Sequence, residues 1–327
     1  MRVMSENAAG FRMPAPWGCH ARSWMAWPCR NEIWQDGLRP ARRAYAKVAR
    51  AIARFEPVVM AACPHDAEEA GALCGPAVEI WPVPLNDSWA RDIAPVFVVK
   101  DGAVAGIDWV FNAWGEKYHP FAEDAAFAAR LLERQSLRRF DGGMVLEGGA
   151  IATDGAGTLL TTEECLLNPN RNPQMTRAEI EARLKKKLGV THVIWLGHGL
   201  AGDETDGHVD NVACFAPDGT VLLARPEKSE PSFAAMAENK RRLQEAGFRV
   251  VDVPMPKPGP LTRSYINFAV TNGGLVIPAF DDPADDAAAA IISVAFPGRA
   301  VVQVEANPIL IGGGGVHCIT YEEPAAL

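Results

Sequence analysis

Five times along this chain the same order of elements recurs: a helix, a strand, a short polar motif and a hairpin. The segments share almost no residue identity, so what repeats is the kind and order of elements. A chain built this way has two options: an open α/β sheet whose regularity is incidental, or a ring of five equivalent units.

The first unit carries Ala41, Ala44, Tyr45, Val48 and Ile52 at helical spacing, predicting a helix over 38–55. A strand over 57–61 follows, then Asn86-Asp87-Ser88-Trp89-Ala90-Arg91-Asp92, then strands over 95–99 and 104–110 around the tight-turn pair Asp101-Gly102. The second unit runs from a helix over 121–137 through a strand over 144–146 to Glu147-Gly148-Gly149 and a hairpin near Asp154-Gly155. The third has a helix over 177–188, a strand over 192–196, the motif Gly207-His208-Val209-Asp210-Asn211 and a turn at Asp218-Gly219. In the fourth, a helix over 232–246 and a strand over 249–253 lead to Ser264-Tyr265-Ile266-Asn267 and a turn at Asn272-Gly273. The fifth has a helix over 283–294, opened by acidic residues that suit a helix N-terminus, and a strand over 300–304. Its motif is the glycine loop 312–315 ending at His317-Cys318, and one strand, over 318–322, remains before the chain stops.

That last strand needs a partner, and residues 22–27 supply one. Pairing them brings the two ends together, closes the five units into a ring with every edge strand paired, and turns all five motifs toward one axis. The expectation is a single α/β domain over 1–327.

Composition narrows the function classes. The apolar share of 48% and charged share of 22% are those of a globular enzyme, and no apolar run approaches a membrane span. The net charge of -8 argues against nucleic acid and is compatible with a small cationic ligand. Residues 1–11 do not have the pattern of a secretory signal, and seven cysteines without paired spacing suit a reducing compartment, so a cytoplasmic location is expected. Most of these cysteines are expected to be buried small hydrophobes.

Cys318 is the exception. Glycines ahead of it permit close approach of backbone to a ligand, as a nucleophilic thiol requires. His208 and Asp210 lie two apart, so on an extended segment both point to one side, within a polar cluster that includes Glu204, Thr205, Asp206 and Asn211. Asp92 and Glu147 would add carboxylates around the same axis, an arrangement that is costly unless a cation binds there. A planar guanidinium meets that need because carboxylates can clamp its N–H groups in pairs. Trp89 and Trp114 could wall a channel for a methylene chain or stack on a cation, or serve as core aromatics. A thiol, an imidazole and convergent carboxylates point to covalent catalysis on a cationic substrate.

With these residues in view the chain resembles the agmatine deiminase family, related to the bacterial peptidylarginine deiminases. The likeness covers Met13-Pro14-Ala15, Trp24-Met25-Ala26-Trp27-Pro28, and the segments 86–92, 146–149, 159–173, 203–211, 264–268, 272–278 and 317–320. It implies the pentein fold, a five-bladed pseudosymmetric α/β propeller. It also implies roles: Cys318 as nucleophile, His208 as general acid and base, Asp92 and Asp210 as guanidinium clamp, Glu147 as the residue holding the histidine, and Asn267 and Trp89 as pocket lining. The implied substrate is agmatine, with no metal or organic cofactor, no nucleic acid and no membrane; association into a homo-oligomer is left open. The family usually has asparagine and isoleucine where this chain has Gly315 and Val316, a departure that bears on the nucleophile loop and on substrate preference. Three rival readings stand beside this one: a peptidylarginine or other alkylguanidine substrate, a metal-assisted hydrolase using His208, Asp210 and His317, and a non-catalytic binding module on the same fold.

Overall fold

A computed structural model describes residues 8–326 and contains five separate β-sheets. Residues 1–7, part of the segment read above for a secretory signal, lie outside the described residues. Four sheets repeat one plan: a hairpin of two antiparallel strands, a helical crossover, and a third strand parallel to the second. They comprise Val96–Lys100, Ala103–Val110 and Arg138–Val145; Ala152–Thr153, Thr158–Thr162 and His192–Leu196; Ala213–Phe215, Val221–Arg225 and Val250–Pro254; and Ala269–Thr271, Gly274–Ala279 and Ala300–Glu305.

The fifth sheet joins the chain ends. Thr320–Pro324 pairs antiparallel with His20–Ala26, with Trp24 opposite Tyr321, and His20–Ala26 runs parallel to Val58–Ala62. The expected seam is therefore present, and the α/β five-bladed propeller stands. The expectation that every edge strand is paired is corrected: among the described residues no strand bridges one of the five sheets to another. The ring closes through packed side chains and through the motifs at its centre.

Local chemistry explains most of the elements. The helix Leu38–Ile52 buries Ala41, Ala44, Tyr45, Val48 and Ile52, as their spacing requires. The helix Arg177–Leu188 starts in a reciprocal capping box between Thr176 and Glu179 and stops at Gly189. Asp101-Gly102 forms a two-residue turn with both φ values positive, 46° and 77°, setting Lys100 opposite Ala103. Asn272-Gly273 also forms a two-residue turn, between Thr271 and Gly274, with a positive φ at Gly273 alone. At Asp154-Gly155 the connection is wider, because the Asp154 carboxylate accepts from the backbone of Ala156 and Thr158.

Four elements depart from expectation. A helix, Ala67–Cys74, and a fourth strand, Val78–Pro82, extend the terminal sheet beyond the common plan. The predicted helix over 121–137 breaks into Ala122–Ala125 and Phe127–Arg134. The strand expected at 144–146 is Arg138–Val145, whose alternating burial was hidden by charges on its outer face and by Gly142-Gly143. No helix among the described residues is long and apolar enough to cross a membrane.

Candidate active site

Each motif follows the last strand of one sheet and precedes the hairpin of the next, which carries all five to the centre of the ring. Cys318 lies in the turn just before the final strand and is 6% exposed, so the strand expected from 318 begins two residues later. Its Sγ is 3.2 Å from Asn267 Nδ2 and 3.7 Å from Asp210 Oδ2. Asn267 also accepts from the backbone N–H of His317 at 2.8 Å and of Cys318 at 3.3 Å. One amide from the fourth unit thus brackets both the thiol and the loop that carries it.

Gly149 shows how closely the remaining groups meet. A Cβ there would lie 2.6 Å from His208 Nδ1, 3.0 Å from Asp92 Oδ1 and 3.1 Å from Asp210 Oδ2. The Gly149 N–H donates to Asp92 Oδ1 at 2.9 Å, and Trp114 Nε1 donates to Asp92 Oδ2 at 2.9 Å. Trp114 reaches that position from a run of four left-handed residues, 113–116, with φ between 52° and 91°. Such a run costs roughly 1–2 kcal/mol per non-glycine residue and persists here because Asn112 Oδ1 accepts from the Gly115 N–H.

His208 is fully enclosed, with Nδ1 3.9 Å from Asp92 Oδ1 and Nε2 3.9 Å from Glu147 Oε2. Both distances exceed a hydrogen bond. His208 Nε2, Glu147 Oε2 and Asp210 Oδ1 are buried polar atoms without a hydrogen-bond partner among the described residues. Glu147 is held by Arg171 at 2.7 Å, and Arg171 in turn by Asp206 at 2.8 Å. Asp210 Oδ2 accepts from His317 Nδ1 at 2.8 Å.

Burial and these partners set the charges. Burial pushes the Cys318 thiol well above its ordinary value, and Asp210 and Asp92 push it further. Burial opposes charge on His208, yet Asp92, Cys165 and Glu147 outweigh it and hold the imidazole well above its ordinary value. Burial raises Asp92 to about 6, with Asp210 and Glu147 adding and His208 opposing. Asp210 goes the other way: burial would raise it, but the bond from His317 holds it below the usual carboxylate range. Without a ligand, thiol and imidazole are both protonated beside two carboxylates. A cation placed between Asp92 and Asp210 would offset the acidic field that keeps the thiol protonated.

A narrow cavity leads from Cys318 outward. Asp92, Trp89, Trp114, Tyr118 and Glu204 line it, together with the glycine loop 312–314. Trp89 stacks on Trp34 at 6.0 Å between ring centroids, and Tyr118 Oη donates to Glu204 at 2.7 Å across the mouth. Gly315 packs against Asn267, where a Cβ would sit 2.4 Å from Oδ1, so this loop conformation has no space for a side chain at 315.

Of the residues singled out from sequence, Cys318, Asp92, Trp89 and Trp114 line this cavity, Asn267 and Asp210 touch the Cys318 thiol, and His208 stands between Asp92 and Glu147. Glu147 is the qualified case, since it contacts His208 without a short hydrogen bond. The metal-ligand trio His208, Asp210 and His317 does not form: the donor sets that converge among the described residues are Glu147, Cys165 and His208, and Cys63, His65 and Asp66. Sequence reasoning missed Arg171, the buried anchor of Glu147, and the bond from His317 to Asp210. Arg171 stands in the segment 159–173 already marked by resemblance, which was the available signal.

Known proteins similar to this chain in sequence and in structure point to one family. The agmatine deiminase of Stutzerimonas stutzeri is 43% identical over 97% of this chain and 96% of its own length. A structure of agmatine deiminase from Enterococcus faecalis, described as catalysing its reaction, superposes with a TM-score of 0.95 at 33% identity over 100% of both chains. A cysteine-to-serine agmatine deiminase from C. jejuni with substrate bound superposes with a TM-score of 0.92 at 27% identity over 97% of each chain. Since the profile of the Porphyromonas-type peptidyl-arginine deiminases also matches residues 12–324, this chain belongs to that family.

Proposed function

We infer that this chain hydrolyses the guanidino group of agmatine to N-carbamoylputrescine and ammonia, with residues 1–327 acting as one catalytic unit. The guanidinium lies between Asp92 and Asp210, whose Oδ1 has no other partner, and the tail runs along the cavity past Trp89 and Trp114 toward Glu204. Glu204 supplies a negative charge where the distal ammonium arrives.

Binding of the cation allows Cys318 to ionise. The thiolate attacks the guanidinium carbon and forms a C–S bond; the C–N bond to one terminal nitrogen breaks, and that nitrogen leaves as ammonia with a proton from His208. Water then adds to the same carbon as His208 accepts its proton. The C–S bond breaks, returning the thiolate and leaving the ureido product. Two carboxylates fixed on either side of the carbon contribute both position and charge.

The observation that carries this reading is the meeting of a thiol, an imidazole and two carboxylates at the inner end of one cavity, where buried atoms of His208 and Asp210 have no partner among the described residues. The agmatine deiminases at 43% identity support the substrate, and seven free thiols suit the cytoplasm. The test is a screen of agmatine, arginine, dimethylarginine and an arginyl peptide, reading the ureido product with and without chelator. Turnover of agmatine, unchanged by chelator, is expected. Turnover of the peptide alone would move the assignment to peptidylarginine, and zinc-restored activity after chelation would overturn the metal-free route. No product from any of the four would make the chain a binding module.

A further inference from the structure

Seven cysteines without paired spacing gave no metal or disulfide signal in the sequence, yet the fold brings two of them together. The strands His20–Ala26 and Val58–Ala62 run parallel with Ala26 opposite Ala61, and where they end the Trp27 N–H donates to the Ala61 carbonyl at 2.8 Å. Cys29 lies two residues beyond Trp27 and Cys63 two residues beyond Ala61 on the chains that leave these strands. Two residues after Cys63 stands His65, then Asp66, and donor atoms of Cys63, His65 and Asp66 lie within 4.8 Å of one another.

We propose that Cys63, His65 and Asp66, joined by the neighbouring Cys29 when the ion arrives, form a binding site for a thiophilic divalent cation of the zinc class, separate from the catalytic cavity. Two thiolates, an imidazole and a carboxylate are the donor types that a tetrahedral zinc takes, at roughly 2.0–2.3 Å. The site has a buried side and an open one. Cys63 is 6% exposed, whereas the His65 side chain is 78% exposed, so a cation reaches the thiols from solvent and the imidazole folds over it. Asp66 Oδ2 faces Arg42 Nη2 at 2.8 Å and His65 Nε2 at 3.5 Å, so the carboxylate serves the metal either directly or by orienting His65.

The position gives the cation a consequence. Cys63 Sγ donates to the carbonyl of Leu85 at 3.5 Å, immediately ahead of the motif 86–92, and Arg30, next to Cys29, pairs with Asp87 at 3.0 Å. A bound ion would take the Cys63 proton and with it the bond to Leu85, and would act on the segment that carries Trp89 and Asp92 through the Arg30–Asp87 pair, without touching substrate.

The experiment is titration of the reduced full-length protein with Co2+. About one equivalent per chain is expected to bind, with a near-ultraviolet thiolate-to-cobalt band that Zn2+ abolishes. Cys29→Ser and Cys63→Ser should each remove the band, and His65→Ala should weaken binding about tenfold or more. All three variants should retain guanidine-hydrolase turnover, which shows that they fold. In the wild type, Zn2+ should protect Cys29 and Cys63 from maleimide, mapped by mass spectrometry, a readout that needs no variant. Absence of the band, its persistence in Cys63→Ser, or its loss only in Cys165→Ala or Cys318→Ala would overturn the assignment, the last by placing the metal at the catalytic centre.

Discussion

Two regions of this molecule bury polar groups equally deeply and use them in opposite ways. At the seam where the chain ends meet, Glu56 accepts from Ser23 Oγ at 2.5 Å, from His20 Nδ1 at 3.1 Å and from the Asn272 N–H at 2.6 Å. The Asn272 side chain also accepts from the His20 N–H at 2.9 Å and donates to the His20 carbonyl at 2.8 Å. At the centre of the ring, by contrast, His208, Glu147 and Asp210 each leave one buried atom without a partner. A satisfied buried network fixes a structure, whereas an unsatisfied one is held in place by the rest of the fold until a ligand completes it. Burial alone does not separate the two; the count of unused donors and acceptors does.

The strongest way to break this contrast is to remove a group from each region and compare activity with stability. Cys318→Ser should lower ammonia release from agmatine by roughly 10⁴-fold or more, because the attacking thiolate is gone. Its melting temperature should stay near the wild-type value. A Cys318→Ser enzyme that still releases ammonia would end the covalent route.

At the seam the effects should invert. Glu56→Ala leaves His20, Ser23 and Asn272 with buried donors and no acceptor, and should cost about 3–5 kcal/mol in urea denaturation, with kcat per folded molecule little changed. The pH dependence follows from His20. Burial opposes its charge, but Glu56 raises its folded value above the ordinary 6.5. Its contribution is therefore full below that ordinary value and fades as pH rises through the folded one. Glu56→Gln should flatten that slope in stability measured across neutral pH.

A glycine at the boundary sharpens the comparison. Gly149→Ala places a Cβ among His208, Asp92 and Asp210, within 2.6–3.1 Å of all three. Overpacking of this kind costs about 1–3 kcal/mol of stability, and the displaced imidazole should lower kcat/KM by roughly 10²-fold. If turnover and melting temperature both stay unchanged, the packing of the catalytic groups around residue 149 is wrong.

The two regions also differ in how far the sequence revealed them. The seam was legible because a last strand without a partner is a local fact, and residues 22–27 were the segment free to answer it. Cys318, His208, Asp210 and Asp92 were legible because each stands in a polar motif between a strand and a hairpin, where packing does not call for it. Arg171 on Glu147 and His317 on Asp210 were not, since those contacts join residues 24 and 107 positions apart through a ring whose geometry no window of sequence contains. The strand Val78–Pro82 was hidden for a different reason: it is an addition to the terminal sheet, and a repeat-based reading sets aside what the other units lack. The left-handed run at 113–116 contradicts local propensity outright, and strain of that kind is imposed by its surroundings.

That strained turn allows the smallest and most discriminating test. Trp114 Nε1 donates to Asp92 Oδ2, and a donor stabilises the anion over the acid. Asp92 already stands at about 6, so kcat/KM should fall as pH drops through that region and the guanidinium loses one of its two anionic partners. Trp114→Phe keeps an aromatic ring against Phe111 and Tyr118 while deleting the N–H. The loss of one hydrogen bond to a charged group is about 1.5–3 kcal/mol at most, and Gly149 still holds the other carboxylate oxygen, so kcat/KM at alkaline pH should drop only about three- to tenfold. The acid limb of the profile should move to higher pH, because the carboxylate has lost support for its charge. A lower plateau with an unmoved limb would mean that Trp114 serves only as a wall of the cavity, and that Asp92 owes its ionisation to His208 and the Gly149 N–H alone.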